Sequence, residues 1–375
     1  MPQKISGNEQ ASSRRAFIKT AAAAAAVAAA PGIANAQEKA PRRLRIGAHG
    51  IGAYSFTSYC WSDIIAPDKA PNSNRGNFGT PFLNMDITHV WDANYEDAQK
   101  FAARMGAVAV KRYDEMVGKV DGIIFGGYWE VPWQHLLARP YVEAGIPVYL
   151  SRPFANRLRD IDELLNLAAK HNTAIIATAK HEHYNEAPAL KNRLKSIGPI
   201  QCVQATCNSS DFPIHFHTQF MLFRIFGYDV DQVSVITDKE VGNNYLQETF
   251  IFKGWEGQKP FICSLQSVTN QDSFSIDIIG RDGRTSATMV RSPLWQDSLL
   301  YRYAPQVIDM QRTFESKKSW QPLDEVRKKT EIFLTAYYSF IERDGTPVKI
   351  GQLPADWQAP IAKPGWIDTA MFKKG

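Results

Sequence analysis

Cysteine is scarce in this chain: four in 375 residues, Cys60, Cys202, Cys207 and Cys263. None forms a C-x-x-C pair, so the spacing carries no zinc or cluster pattern. Cys202 and Cys207 are an odd number apart in what reads as one strand and face opposite sides, so buried free thiols are expected. A large charge excess is missing as well. The chain carries +5, and its first 36 residues hold Lys4, Arg14, Arg15 and Lys19 against Glu9, so the remainder is only +2. That leaves no electrostatic footprint for nucleic acid. There is no internal repeat, and beyond residue 36 no apolar run is long enough to span a bilayer.

The amino terminus holds a pattern of its own. Ser13-Arg14-Arg15-Ala16-Phe17-Ile18-Lys19 reads as a twin-arginine export signal, followed by an alanine-dominated apolar segment over 20–33. Ala34-Asn35-Ala36 supplies the small residues a signal peptidase needs, with cleavage after Ala36. The segment is too short and alanine-rich for a membrane helix. The reading predicts a periplasmic protein, exported already folded by the twin-arginine translocation machinery, and carrying a cofactor loaded beforehand.

Residues 37–180 alternate strand and helix, with strands at 44–49, 87–91, 107–110, 122–125, 147–150 and 174–179. Helices are expected at 95–105, 131–144 and 157–170. The short apolar strands are of the kind buried in parallel sheets. Residues 66–84, rich in Pro, Asn and Gly, read as an inserted loop. From 181 to 375 the pattern changes to strands at 200–206, 233–237, 245–252, 261–268 and 274–279, a hairpin signal at Asp282-Gly283, and a late helix at 325–343. The expected fold is α/β: a Rossmann doubly wound parallel sheet, then an α+β domain with a large open, mainly antiparallel sheet.

Gly50-Ile51-Gly52-Ala53-Tyr54-Ser55 follows the first strand and is expected to open a helix, the context of a dinucleotide fingerprint with Ser55 in place of the third glycine. Gly50 permits the tight turn, and Gly52 lets the backbone approach a pyrophosphate that the helix N-terminus stabilises. Asp92 ends the second strand, where a carboxylate holds an adenosine ribose and favours NAD over NADP. It also reads as a helix N-cap.

These features, in this order, resemble the Gfo/Idh/MocA oxidoreductase family, which includes glucose–fructose oxidoreductase and inositol dehydrogenase. The resemblance rests on Gly50-Ile51-Gly52, Asp92, Val120-Asp121-Gly122-Ile123-Ile124-Phe125, and the stretch Ala144-Gly145-Ile146-Pro147 through Ser151-Arg152-Pro153. It extends to the segment 217–227 and the β-rich part that follows. It implies an N-terminal Rossmann domain with a tightly bound nicotinamide cofactor, a carbohydrate substrate between the two parts, and homo-oligomers built through the C-terminal sheet. Family members carry Glu-Lys-Pro where this chain has Ser151-Arg152-Pro153. Arginine stays protonated, so Arg152 cannot replace that lysine as a general base but can anchor a hydroxyl or carboxylate. His217 matches the family's catalytic histidine, while Pro213 stands where its partner Asp belongs and only a rearranged loop would bring Asp211 there. Catalysis is therefore expected to involve Arg152, His217, Lys180 and His183. Tyr128 and Arg152 would border the cofactor, and Trp129, Tyr184 and His215 the substrate. Trp133 joins Tyr128 and Trp129 in an aromatic cluster suited to stacking on a sugar.

Four histidines form two His-x-His pairs, His181/His183 and His215/His217. On strands each pair would share a face, which permits metal ligation; hydrogen bonding to sugar is the simpler use, and no metal is expected. The function expected is an exported sugar oxidoreductase with tightly bound nicotinamide cofactor. The alternatives are a redox-neutral carbohydrate lyase or NAD-dependent glycosidase on the same fold, and a non-catalytic carbohydrate-binding protein.

Overall fold

The computed structural model describes residues 42–52, 55–69, 83–207, 212–237, 245–267, 274–289, 295–361 and 365–372. The export signal, most of the inserted loop and Asp211 lie outside the described residues. From Arg43 onward the chain forms one compact unit.

Six parallel strands build the first sheet: β1 (Leu44–His49), β2 (Met85–Trp91), β3 (Val108–Ala109), β4 (Gly122–Phe125), β5 (Val148–Leu150) and β6 (Ile175–Ala177). Their order is β3-β2-β1-β4-β5-β6, the doubly wound arrangement that places ligand sites beyond the carboxyl ends of the strands. The residues of β4, β5 and β6 are all buried, as expected when helices cover both faces. The helix Tyr95–Met105 shows how local sequence sets the boundaries. Asn94 caps it by accepting from the Glu96 N–H at 3.2 Å, and Gly106 ends it in a left-handed conformation.

The second sheet runs β12-β11-β7-β10-β9-β8-β13. Its strands are β7 (Ile200–Cys207), β8 (Val230–Thr237), β9 (Leu246–Phe252), β10 (Phe261–Ser267), β11 (Phe274–Gly280), β12 (Arg284–Met289) and β13 (Val348–Lys349). It is mixed rather than purely antiparallel, because β7 and β10 run parallel. Alternate residues of β9 and β11 are buried, so one face packs inward and the other stays half-exposed. The buried face receives the helices Phe216–Phe226 and Leu323–Glu342 through an aromatic cluster that includes Phe223, Phe250, Phe252 and Phe333.

The helix Trp295–Ser316 was not anticipated from the sequence. Although it follows the second sheet in the chain, Tyr303, Val307, Met310 and Phe314 join the core around Ile46, Val90 and Ile176 of the first sheet. The part from 181 onward therefore returns a helix to the Rossmann core. All four cysteines are free, with Cys202 the half-exposed one.

Candidate functional site

Two neighbourhoods lie beyond the strand ends of the first sheet. The first is the glycine turn after β1. Gly50 has φ of +59°, which glycine adopts without steric cost. The turn does not open a helix, contrary to the sequence expectation. Instead Ser55 bridges Gly127, and the Phe56 N–H donates to the Gly126 carbonyl at 3.0 Å. The helix starts only at Thr57, as a π turn over Thr57–Trp61 continued by Ser62–Ile65. Among the described residues, the chain meets the loop after β4 at Ser55 and Phe56 before the helix starts.

Asp92 also departs from its expected role. Its Oδ2 accepts from the backbone N–H groups of both Ile51 and Gly52 at 2.8 Å, and Oδ1 accepts from the Asn94 N–H at 2.8 Å. The carboxylate closes the turn rather than standing open for a ribose, and the helix N-cap is Asn94, not Asp92. Burial raises the Asp92 pKa, against the three backbone hydrogen bonds that lower it. Glu130, which the sequence reading missed, is fully buried, and neither carboxyl oxygen has a hydrogen-bond partner of good geometry among the described residues. A Cβ on Gly50 would collide with this carboxyl group, and Gly127 packs against Gly50 from the same side. Burial, reinforced by the Asp92 charge, pushes Glu130 well above the ordinary glutamate range.

The second neighbourhood lies after β5 and β6. Arg152 is fully buried. Its guanidinium carbon sits 3.8 Å from the Phe56 ring centre and 5.1 Å from that of Phe216. Its Nη2 lies 3.0 Å from His217 Nε2. Arginine only donates, so Nε2 accepts and the neutral imidazole carries its proton on Nδ1. His217 Nδ1, Arg152 Nε and Arg152 Nη1 are buried without hydrogen-bond partners among the described residues. Burial first, then the charges of Arg152 and Lys180, hold the His217 pKa well below its ordinary value. His217 was expected to serve as a base titrating near neutral pH. As arranged, it stays neutral and presents a donor.

The two His-x-His pairs do not share faces, because both lie on helical turns rather than strands. His181 and His183 belong to the 3-10 helix Lys180–His183, and His215 and His217 straddle the start of the helix Phe216–Phe226. Residues two apart on a helix diverge. His181 is the one that approaches His217, with ring centres 5.2 Å apart. His183 turns away, with Nδ1 2.7 Å from Asp309 Oδ2 and Nε2 2.7 Å from Thr178 Oγ1, so both nitrogens are occupied. His215 pairs with Glu248 rather than facing Arg152, and Gln219 bonds the same carboxylate. Burial opposes its charge, yet Cys207 and Glu248 raise its pKa well above the ordinary value. No cluster of three metal-ligating side chains occurs among the described residues.

Lys180 is buried, with Nζ 5.3 Å from the Tyr303 ring centre. Its turn is fixed by Glu182, which accepts from the Ala179 N–H at 2.6 Å and pairs with the buried Lys329 at 2.8 Å. Tyr184 packs on His181 with ring centres 5.1 Å apart. Tyr128 and Trp129 meet edge to face at 5.2 Å in the loop after β4, half-buried, as is Trp133 beyond them.

Residues 51–184 match the model of the Gfo/Idh/MocA family, described as an oxidoreductase family with an NAD-binding Rossmann fold. The match spans the Rossmann part of this chain. No curated protein matches by sequence. The fold is similar to that of myo-inositol dehydrogenase from Lactobacillus casei, solved with NAD(H) and myo-inositol. That similarity has TM-score 0.66 and 11% identity, and covers 86% of this chain and all of that one. Scyllo-inositol dehydrogenase from the same organism, solved with NAD(H) and scyllo-inositol, gives TM-score 0.64 at 12% identity, over 82% and 99% of the two chains. A probable dehydrogenase from Thermotoga maritima gives 0.63 at 16% identity, over 83% and 100%.

The family implies a dinucleotide over the glycine turn. The residues there do not fit its diphosphate: the Ile51 and Gly52 N–H groups already serve Asp92, and the side chains nearest both glycines are the carboxyl groups of Asp92, Asp97 and Glu130.

Proposed function

We propose that this chain is an exported enzyme of the Gfo/Idh/MocA type acting on a sugar or sugar derivative, held at the Arg152–His217 pair. The observation that carries this reading is the set of three buried donors on one hydrogen-bonded pair that find no partner of good geometry among the described residues: Arg152 Nε, Arg152 Nη1 and His217 Nδ1. Leaving such donors unmatched is costly, and an oxygen-rich ligand offers the acceptors they lack. Arg152 would anchor a hydroxyl or carboxylate, and His217 would hold a substrate oxygen through a hydrogen bond from its Nδ1 proton. The inositol complexes of the fold relatives support a polyhydroxylated substrate.

The test is ligand-observed NMR with a panel of sugars, inositols and sugar acids. Binding to the wild type that is lost in Arg152→Met is expected. Failure of every panel member to bind, or binding that survives Arg152→Met, would reject the reading. Export through the twin-arginine pathway belongs to the same proposal: Arg14→Lys with Arg15→Lys should leave precursor in the cytoplasm. Homo-oligomerisation through the second sheet does too, supported by Ile236 and Ile262, each about half-exposed on its outer face.

Two chemistries are compatible with this site. Oxidation of a CH–OH group by bound NAD(H) is what the family and the complexes of its relatives favour. Redox-neutral proton transfer, as in a lyase or glycosidase, is favoured by the acids packed in the glycine turn.

A further inference from the structure

We infer that the dinucleotide cradle of this protein is closed from within, Asp92 and Glu130 occupying it, and that the reaction at Arg152–His217 proceeds without a nicotinamide dinucleotide. The inference rests on the carbohydrate reading above for the reaction, but its structural argument is separate.

A Rossmann cradle works by offering unmatched backbone N–H groups and the positive end of a helix to a diphosphate. Here each of these elements is withdrawn. The Ile51 and Gly52 N–H groups both donate to Asp92 Oδ2. Asp92 is itself buried and held from its other oxygen by the Asn94 N–H, so it is a fixed part of the turn. The helix begins at Thr57, beyond the bridge of Ser55 to Gly127, and its first turn is a π turn.

The space over Gly50 is filled as well. The Glu130 carboxyl lies where a Cβ of Gly50 would point, with Gly127 beside it. A diphosphate brought to this turn would displace the buried Asp92 carboxylate from two hydrogen bonds, meet the Asp97 carboxylate beside Gly52, and find the space over Gly50 taken by the Glu130 carboxyl group.

The arginine that stands in place of the family lysine is also covered. The Phe56 ring centre lies 3.8 Å from the Arg152 guanidinium carbon.

The experiment uses the mature protein purified without denaturation. Its intact mass is measured under native conditions, and NAD+, NADH and ADP-ribose are titrated by calorimetry. The expected result is a mass equal to the polypeptide alone and no saturable binding up to about 1 mM, far weaker than a resident cofactor requires. A retained dinucleotide, or saturable binding below that concentration, would overturn the inference. The sugar assay separates this from the function proposed above. Turnover in dinucleotide-free protein supports both. Turnover that requires added NAD+ overturns the inference and leaves the carbohydrate reading standing. Absence of sugar binding together with absence of NAD+ binding overturns the carbohydrate reading and leaves the closed cradle standing.

Discussion

The two neighbourhoods at the carboxyl edge of the first sheet differ in sign. Around the glycine turn the buried charged groups are acids, Asp92 and Glu130, with Asp97 beside them. After β5 and β6 they are Arg152 and Lys180, with His181 and His217 kept neutral nearby. Within each neighbourhood there is a second contrast. Asp92 is satisfied by three backbone N–H groups, whereas Glu130 is not. Lys329 has a buried counter-ion in Glu182, whereas the Arg152 guanidinium has no carboxylate beside it among the described residues and lies against His217, the Tyr149 hydroxyl and two aromatic rings. A buried charge with partners organises structure, and a buried donor without one awaits a ligand. On this ground the proposed function is assigned to the Arg152 side, and the proposed closure makes the glycine turn architecture.

The largest expected effect tests the organising half of that contrast. Lys329→Met strands the Glu182 carboxylate among apolar groups and should cost about 3–5 kcal/mol of stability. Adding Glu182→Gln, which keeps an acceptor for the Ala179 N–H, should recover part of the loss in a denaturant titration. Next comes the ligand-awaiting half. His217→Ala should lower sugar turnover about a hundredfold while leaving the melting temperature near that of the wild type. Unchanged turnover would move His217 to the structural side of the comparison.

The acid neighbourhood predicts a pH dependence. The Glu130 pKa is raised in the folded protein by burial and then by Asp92, so its stabilising contribution is complete below the ordinary glutamate value. It is lost as pH rises toward the folded value, by about 1.4 kcal/mol per unit. Asp92, itself shifted upward by burial, is the charged neighbour that adds to the shift. Glu130→Gln should therefore melt higher than the wild type at pH 8, with the advantage shrinking toward pH 5. A constant difference across that range would mean that Glu130 is ionised in the fold.

Much of the scaffold was legible in the sequence. The strands at 44–49 and 122–125 and the helix at 95–105 were read to the residue, because continuous apolar runs and amphipathic periodicity are local signals, although the cap is Asn94 rather than Asp92. The helix Trp295–Ser316 was not, since Pro305 interrupts it and its apolar face is completed by a sheet more than a hundred residues earlier. The site was read by type more than by arrangement. Arg152 and His217, each expected at the site, lie 3.0 Å apart, whereas the histidine pairs were assigned strand periodicity and lie on helical turns, which brings His181 rather than His183 to His217. Glu130 carried one signal, an acid inside the apolar run Tyr128-Trp129-Glu130-Val131-Pro132-Trp133, but its contact with Gly50 depends on tertiary packing.

The smallest effect concerns that exchanged histidine. Both His183 nitrogens are engaged, one with Thr178 and the other with Asp309, whose carboxylate also accepts from Trp320 Nε1 at 3.0 Å and Arg312 Nη1 at 3.0 Å. Burial works against the Asp309 charge, but His183, Arg312 and Trp320 together hold its pKa below the ordinary aspartate value. Its contribution is therefore present above that value and lost as pH falls through the folded one. Asp309→Asn keeps the shape, weakens three hydrogen bonds and should cost about 1–2 kcal/mol near neutrality, less under acid conditions. Sugar turnover should stay within a few-fold of the wild type, because His183 faces Trp320 and Asp309 rather than Arg152. If Asp309→Asn or His183→Gln instead abolishes turnover in a folded protein, the Asp309–His183 pair belongs to the working site and the cation side extends further along the sheet edge than the Arg152–His217 pair.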